Sequence, residues 1–422
     1  MSSYVLPPIP ECLLGLKPVM VGNAARLGRG GGPVHVLPEL MIAKADDHIL
    51  ERVPELALDL HVPGSLIGHG WRIWSAPDGL EDALIARGIP EDAFAVDLAG
   101  GIIDPLGGVE GLQSGSIKIP DAALADPKIS LRAVALAGES KLNLEPGALE
   151  KLSACTAQVF HAPRDLVRYW LTRLLVGRTP FDSLGTLREI GLLGYLLPEV
   201  DAFVNFHRTS RHHHKDVWEH TRLVVQQALP RPILRWSALL HDIGKVPTRS
   251  FTEKGKVHFL RHDDVGAYMF EGIAARLNFP EPMAERIRLL ILHHLRPAMY
   301  NPDWTDAAVR RFSSRMGPIM DDLLDLARAD VTSKRRATRR RAINNVLQLR
   351  ERITALALSD ESKRPRIPRG LGSAIIEQLG LPPGPQIGEL RDRCEEALRS
   401  GQIGEGAPIE VFIEFLRSEL AA

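Results

Sequence analysis

The spacing of apolar positions changes near Ala133. Before it, short apolar runs such as LKPVMVG, GWRIWSAP and AFAVDLAGGIIDPLGG alternate with stretches rich in Gly and Pro. That pattern predicts strands joined by turns, with an occasional helix such as His48 to Leu60. After it, LRAVALAGESKLNL, APRDLVRYWLTRLLVG and SLGTLREIGLLGYLL carry apolar residues at helical spacing. Pro163 and Asp165 open the second of these helices and Gly177 closes it. The helical pattern runs on to the C-terminus. It is interrupted by the loop RTSRHHHKD (208–216) and by SDESKRPRIPR (359–369), a polar, proline-containing linker. The expected fold is α+β: an α/β head over 1–132, a helical neck over 133–207, a second helical domain over 208–358 and a helical tail over 359–422.

Composition narrows the function classes little. Lys and Arg balance Asp and Glu at 52 each, which argues against a basic coat but leaves room for a local patch. Cys12, Cys155 and Cys394 form neither a zinc spacing nor a disulfide framework, as expected in a reducing cytosol. No signal peptide and no membrane span is read, so a cytoplasmic location is expected.

The histidines change the picture. Ten of the fifteen lie between His207 and His294, a clustering that composition does not explain. His220 sits in VWEHT, His241-Asp242 in SALLHDIGKVPT, His262 in FLRHDDVGA, His293-His294 in LILHHLRP and Asp330 in LARADVTS. One buried His is more often a hydrogen-bonded core residue than a ligand, and His-Asp alone is a chance dipeptide. Several such residues ending apolar helices can instead converge on one interior point, as in helical metal sites. Val217–Leu229, Ile233–His241 (closed by Gly244) and Ile287–His294 are the expected helices. Imidazole with carboxylate suits one or two divalent ions such as Mn, Fe, Ni or Co, with Mg if water fills most positions. His293 and His294 point about 100° apart on a helix, so one of them faces the metal; His293 is taken, with His294 as its substitute. Asp242 would bridge, and Lys245 and Arg249 would steady a phosphate. His212 to His214, beside a loop, read as solvated.

KRRATRRR (334–341) follows Asp330 and is expected to continue its helix. Lys334, Arg335, Arg336, Arg339 and Arg340 are candidate contacts to an RNA phosphate backbone. The competing reading is a solvated face balanced by Asp321, Asp322 and Asp325.

His220, His241-Asp242 and Asp330 reproduce the H…HD…D signature of HD-domain metal-dependent phosphohydrolases. More widely, LLHDIGKVPTRSFTEKGKVHFLRHDDVGAYM, AVRRFSSRMGP, LLDLARADVTS and GLGSAIIEQLGLPPGPQIGEL resemble the helical part of bacterial tRNA nucleotidyltransferases and poly(A) polymerases. LREIGLLGYLLPEV resembles that family's neck, and AGGIIDPLGGVEGL the end of its head. The resemblance spans about Leu16 to Ile403 and implies a nucleotidyltransferase-like head, a neck, an HD domain and a tail.

The head departs from the family pattern. VMVGNAARLGRGGG keeps Gly22, but Asn23 replaces the second Gly and Leu27 stands near the expected Asp. PVHVLPELMIAKADD has no Asp-x-Asp. Asp46 and Asp47 are adjacent, which on a strand turns them to opposite faces. Ala86-Arg87-Gly88 replaces Arg-Arg-Asp, and the base-reading Glu-Asp-x-x-Arg appears as Ala125-Asp126-Pro127-Lys128-Ile129, with Arg132 retained. The expectation is therefore a head without catalysis and an HD-type phosphohydrolase acting on a phosphomonoester or phosphodiester. Its substrate would be a nucleotide, a 2′,3′-cyclic phosphate or an RNA end, including tRNA. The alternatives are an active CCA-adding or poly(A)-adding nucleotidyltransferase and an RNA-binding protein without catalysis.

Overall fold

The computed structural model describes residues 9, 11–14, 18–21, 39–43, 57–58, 65–68, 71–76, 78–206, 216–253, 257–362, 367–404 and 406–420. The chain is α+β and forms two compact units, 1–302 with 316–347 and 303–315 with 348–422. No helix among the described residues is long and apolar enough to cross a membrane.

The first unit begins with a mixed seven-stranded sheet. Its strands are β1 (Val19–Val21), β2 (Glu39–Ala43), β3 (Ala57–Leu58), β4 (Ser65–Gly68), β5 (Trp71–Ala76), β6 (Ala95–Val96) and β7 (Ile102–Ile103), in the order β3-β4-β5-β2-β1-β6-β7. Only β2 and β5 pair in parallel. Val19, Val21, Met41, Ala76 and Ala95 form a buried apolar layer with Leu84 of helix α1 (Leu80–Ile85). The helix expected over His48–Leu60 is corrected in part: Ala57–Leu58 is a strand paired with β4, because the apolar pair completes a sheet edge. The rest of that span lies outside the described residues.

A buried set of charges joins this sheet to the first neck helices, α2 (Ile129–Ser140) and α3 (Arg164–Val176). Glu39 of β2 accepts from Arg173 at 3.0 Å and from Arg87 at 3.1 Å. Arg173 also grips Glu139 of α2 through two bonds of 2.5 and 2.6 Å and stacks over Trp170. Arg87 and Arg132 share Asp92, at 3.0 and 3.4 Å, and Arg132 reaches Asp126 at 2.8 Å. Burial works against the charged form of Glu39, but Arg173 and Arg87 outweigh it and hold its carboxyl below the usual range. Paired in this way, charges that would be prohibitively costly to bury singly become the seam between head and neck.

Helix α3 in turn anchors the next helices. Trp236 donates its indole N–H to Thr172 at 2.9 Å, and Arg235 donates to the Leu175 carbonyl at 2.9 Å. Both belong to helix α5 (Pro232–Leu240), which ends at His241 and comes after α4 (Val217–Gln227). In the second unit, helices Leu371–Leu379, Pro385–Arg399 and Ile409–Leu420 pack Ile375, Leu390, Cys394, Phe412 and Leu416 into a separate core. The linker expected from Ser359 begins later, since one helix runs Arg336–Ser362.

Replacing Arg173 with Met takes a buried cation from both Glu39 and Glu139 and is expected to cost about 3–5 kcal/mol by urea unfolding. Removing Glu139 together with it should recover part of that loss. A single substitution within about 0.5 kcal/mol of the parent would show that the seam does not hold the head to the neck.

Candidate metal centre

The His and Asp residues spread over more than a hundred positions of sequence meet at one buried point. Each arrives at a helix end. Asp216 caps α4, accepting from the Trp218 and Glu219 amides, and so sets His220 on the first turn. His241 closes α5 and Asp242 comes directly after it. His262 opens helix α6 (His262–Arg276). Helix α7 (Glu281–His293) ends against His294, and helix α8 (Met320–Ala329) ends at Asp330. The expected helices are present with slightly different ends. Gly244, however, does not close α5 in a left-handed turn. A Cβ there would stand 2.0 Å from the His262 carbonyl oxygen, so its bare backbone lets α6 approach the His-Asp turn.

Asp242 divides the group into two halves. Its Oδ2 lies 3.5 Å from His220 Nε2 and 3.2 Å from His241 Nε2. Its Oδ1 lies 3.5 Å from His262 Nε2 and 3.8 Å from His294 Nε2. Asp330 faces His220 at 3.1 Å and His241 at 3.6 Å. Two groups thus have metal-ligand proximity, His220-His241-Asp242 and Asp242-His262-His294. Position 294, not 293, supplies the last imidazole. His293 belongs to neither group and is half-buried. The signal was present in the sequence: His294 continues the buried stripe Ile287, Leu290, Ile291 at helical spacing.

The imidazoles are oriented as ligands require. Nδ1 of His241, His262 and His294 lies 2.9, 2.9 and 2.6 Å from the carbonyls of Ala238, Phe259 and Ile291. Nδ1 of His220 lies 2.8 Å from the Thr332 hydroxyl. Such partners fix the ring and turn Nε2 inward, and Nε2 of His241 is buried without a hydrogen bond. The donor set fits one or two divalent ions, which would supply concentrated positive charge and Lewis acidity when bound.

Without an ion the charges balance differently. Burial would lower His241, but Asp242 and Asp330 overcome it and raise its pKa to about 10. Burial, followed by the His241 charge, pushes His294 down to about 4. Burial would raise Asp330, yet the imidazoles of His220 and His241 beside it hold it well below the carboxylate range. The two carboxylates thus favour the protonated imidazole of His241, and a divalent ion competes with that proton.

The remaining candidates are dispersed. Lys245 joins the cluster, donating to Asp242 Oδ2 at 2.6 Å. Arg249 lies on the strand Arg249–Phe251 with its guanidinium over the Phe251 ring. His207 and His212 to His214 lie outside the described residues. The stretch 334–341 does not continue α8. That helix stops at Ala329, Asp330 caps it, and a new helix, α9 (Arg336–Ser362), begins six residues on. Breaking there lets Asp330 and Thr332 both turn to His220. In the head, Arg87, Gly88, Leu106, Asp126, Ile129 and Arg132 line a cavity of about 300 Å³.

Residues 212–335 match the family model described as HD domain. An A-adding tRNA nucleotidyltransferase from Deinococcus radiodurans is 31% identical over 356 residues, covering 80% of each chain. A CC-adding tRNA nucleotidyltransferase from Thermus thermophilus is 33% identical over 262 residues, covering 60% of this chain and 57% of its own. A CCA-adding enzyme of Bacillus stearothermophilus, solved in complex with CTP, superposes with a TM-score of 0.52 at 18% identity, covering 98% of this chain and 100% of that one. The fold is therefore shared.

These likenesses correct the expectation of an HD phosphohydrolase beside an inactive head. The Deinococcus relative matches four-fifths of the chain and is named for nucleotide addition. The contrary expectation weighed motif residues at 19–47, 86–88 and 125–129, and of these 22–38 and 44–47 lie outside the described residues. Linear spacing there does not establish which side chains converge.

Titration calorimetry with Mn²⁺ at pH 7, repeated in buffers of different ionisation enthalpy, should show roughly one proton released on binding. Affinity should weaken as the pH falls. Proton-independent binding would place the ion elsewhere. By metal analysis, His294→Ala and Gly244→Ala should lower the bound stoichiometry, while His293→Ala should leave it intact. Equal effects of the two histidine substitutions would contradict the placement.

Proposed function

We propose, for a chain that belongs to the tRNA nucleotidyltransferase family, that it adds nucleotides to the 3′ end of tRNA. The observation that carries this reading is the 31% identity to an A-adding tRNA nucleotidyltransferase across 80% of both chains. The head's geometry supports it. Positions that correspond to the family's second and base-reading motifs come together around one cavity, although they lie some forty residues apart. Its volume, about 300 Å³, is at the lower end of small-ligand pockets.

Within that cavity the chain's own residues bind and orient. Arg132 is held by Asp126 and by the Arg87 carbonyl, at 2.8 and 2.7 Å, so its guanidinium is placed before a nucleotide arrives. Asp126 and the backbone beside it offer polar edges, while Ile129 and Leu106 offer apolar surface for a base. Among the described residues, the sheet does not present a pair of carboxylates shaped as a metal clamp. Glu39 on β2 is already engaged by Arg173 and Arg87. Asp46 and Asp47 lie outside the described residues and are the acids to test for that role. The metal centre of the helical domain is a separate site with its own ligand set.

The test is incorporation of labelled ATP or CTP into tRNA lacking its terminal nucleotides. Incorporation is expected, and Asp46→Ala/Asp47→Ala should abolish it. Ala122, exposed on the cavity lining, offers a gentler probe. Ala122→Trp should raise KM for the nucleotide about tenfold, the scale of one lost contact, with tRNA binding unchanged. No incorporation by the parent chain under any nucleotide and divalent-ion condition would reject the reading.

A further inference from the structure

We infer that the cationic start of helix α9 is a docking surface for an RNA phosphate backbone, adjacent to the metal centre. Lys334, Arg335, Arg336, Arg339, Arg340 and Arg341 are all exposed. The inference rests on the tRNA-directed reading above for the identity of the polyanion, and on charge, pairing and position for the surface itself.

The arrangement is unfavourable without a polyanion. Arg336 and Arg340 stand one turn apart on the same helix face, where like charges repel. The first turn of α9 contains no acidic residue. The positive end of the helix dipole therefore meets cations instead of the anions that would stabilise it. The acidic neighbours that could have balanced the patch are occupied elsewhere: Asp322 pairs with Arg231 and Arg286, and Asp325 pairs with Arg231. Among the described residues, Lys334, Arg335, Arg336, Arg340 and Arg341 have no carboxylate partner, and Arg339 donates only to the Gln227 side-chain oxygen, at 2.8 Å.

The chemistry selects RNA over a protein partner. Guanidinium groups match phosphate oxygens in fork geometry. A protein interface needs an apolar centre, and this stretch offers only Ala337 and the methyl of Thr338 among its basic residues. Its position is fixed as well. Thr332, whose hydroxyl lies 2.8 Å from His220 Nδ1, is two residues before Lys334.

The experiment measures binding of the full chain to fluorescent tRNA across a salt series. Arg336→Gln/Arg340→Gln/Arg341→Gln is expected to weaken binding about tenfold or more at low salt and to flatten log K against log salt by about 0.7–0.9 per contact removed. Thermal melting should be unchanged or higher, because the substitutions relieve repulsion. Should that variant unfold, Lys334→Gln/Arg335→Gln, ahead of the helix, serves in its place with the same expectation. Unchanged affinity and slope overturn the inference. Competition by polyglutamate as effective as that by poly(A) also overturns it, in favour of an acidic protein. Nucleotide incorporation, assayed in parallel, separates the two readings. A parent chain that binds tRNA through the patch but incorporates nothing retains the docking surface and loses the transferase reading. A parent that incorporates nucleotides while the patch variants bind normally does the reverse.

Discussion

The carboxylate of Asp242 organises the helical domain. It stands between two pairs of imidazoles, with one oxygen toward His220 and His241 and the other toward His262 and His294. Four helix ends must converge within a few ångströms for this to happen, and each end is fixed by ordinary means: an Asp cap on α4, carbonyl bonds to ring nitrogens, a glycine contact, and the indole of Trp236 holding α5 to the neck. The acid is buried, so its ionised form depends on those neighbours. Burial alone would raise its pKa, and the adjacent imidazoles bring it far below the usual range. The site and the packing around it are therefore one structure.

A second buried set of charges does comparable work in the head. Glu39, Arg173, Glu139, Arg87, Asp92, Arg132 and Asp126 run from strand to neck through direct contacts. Such a network gives orientation more than stability, because each ion must first be stripped of water. Its consequence for function is that Arg87 and Arg132, which border the cavity, are positioned by the same pairs that join head to neck. Recognition in the cavity and the set of the neck share those residues.

Much of this was legible in the sequence, and the parts that were not have physical reasons. The α+β order, the helices after Ala133 and the residue types of the His and Asp cluster came from local spacing and from residues whose chemistry is restrictive. The choice between His293 and His294 turned on helix phase, and the stripe Ile287, Leu290, Ile291 would have decided it. Glu39 was invisible because its partners Arg173 and Glu139 are remote in sequence and only the folded sheet brings them together. The break between Asp330 and Arg336 was missed because VTSK has no Gly or Pro; what accompanies it is a tertiary contact, Thr332 with His220. The expected division of labour failed for a different reason. Motif spacing in the head was taken as a measure of catalytic competence, whereas the relative matched over four-fifths of the chain is named for nucleotide addition.

Gly244 carries a consequence for how such a chain can drift. A ligand histidine has chemical substitutes, since other side chains also bind metals. Position 244 has none, because any Cβ would overlap the His262 carbonyl oxygen, which belongs to the main chain and has no rotamer to yield. Every missense change in a glycine codon introduces a side chain. The silent residue of the turn is thus under a tighter mutational lock than the residues that do its chemistry.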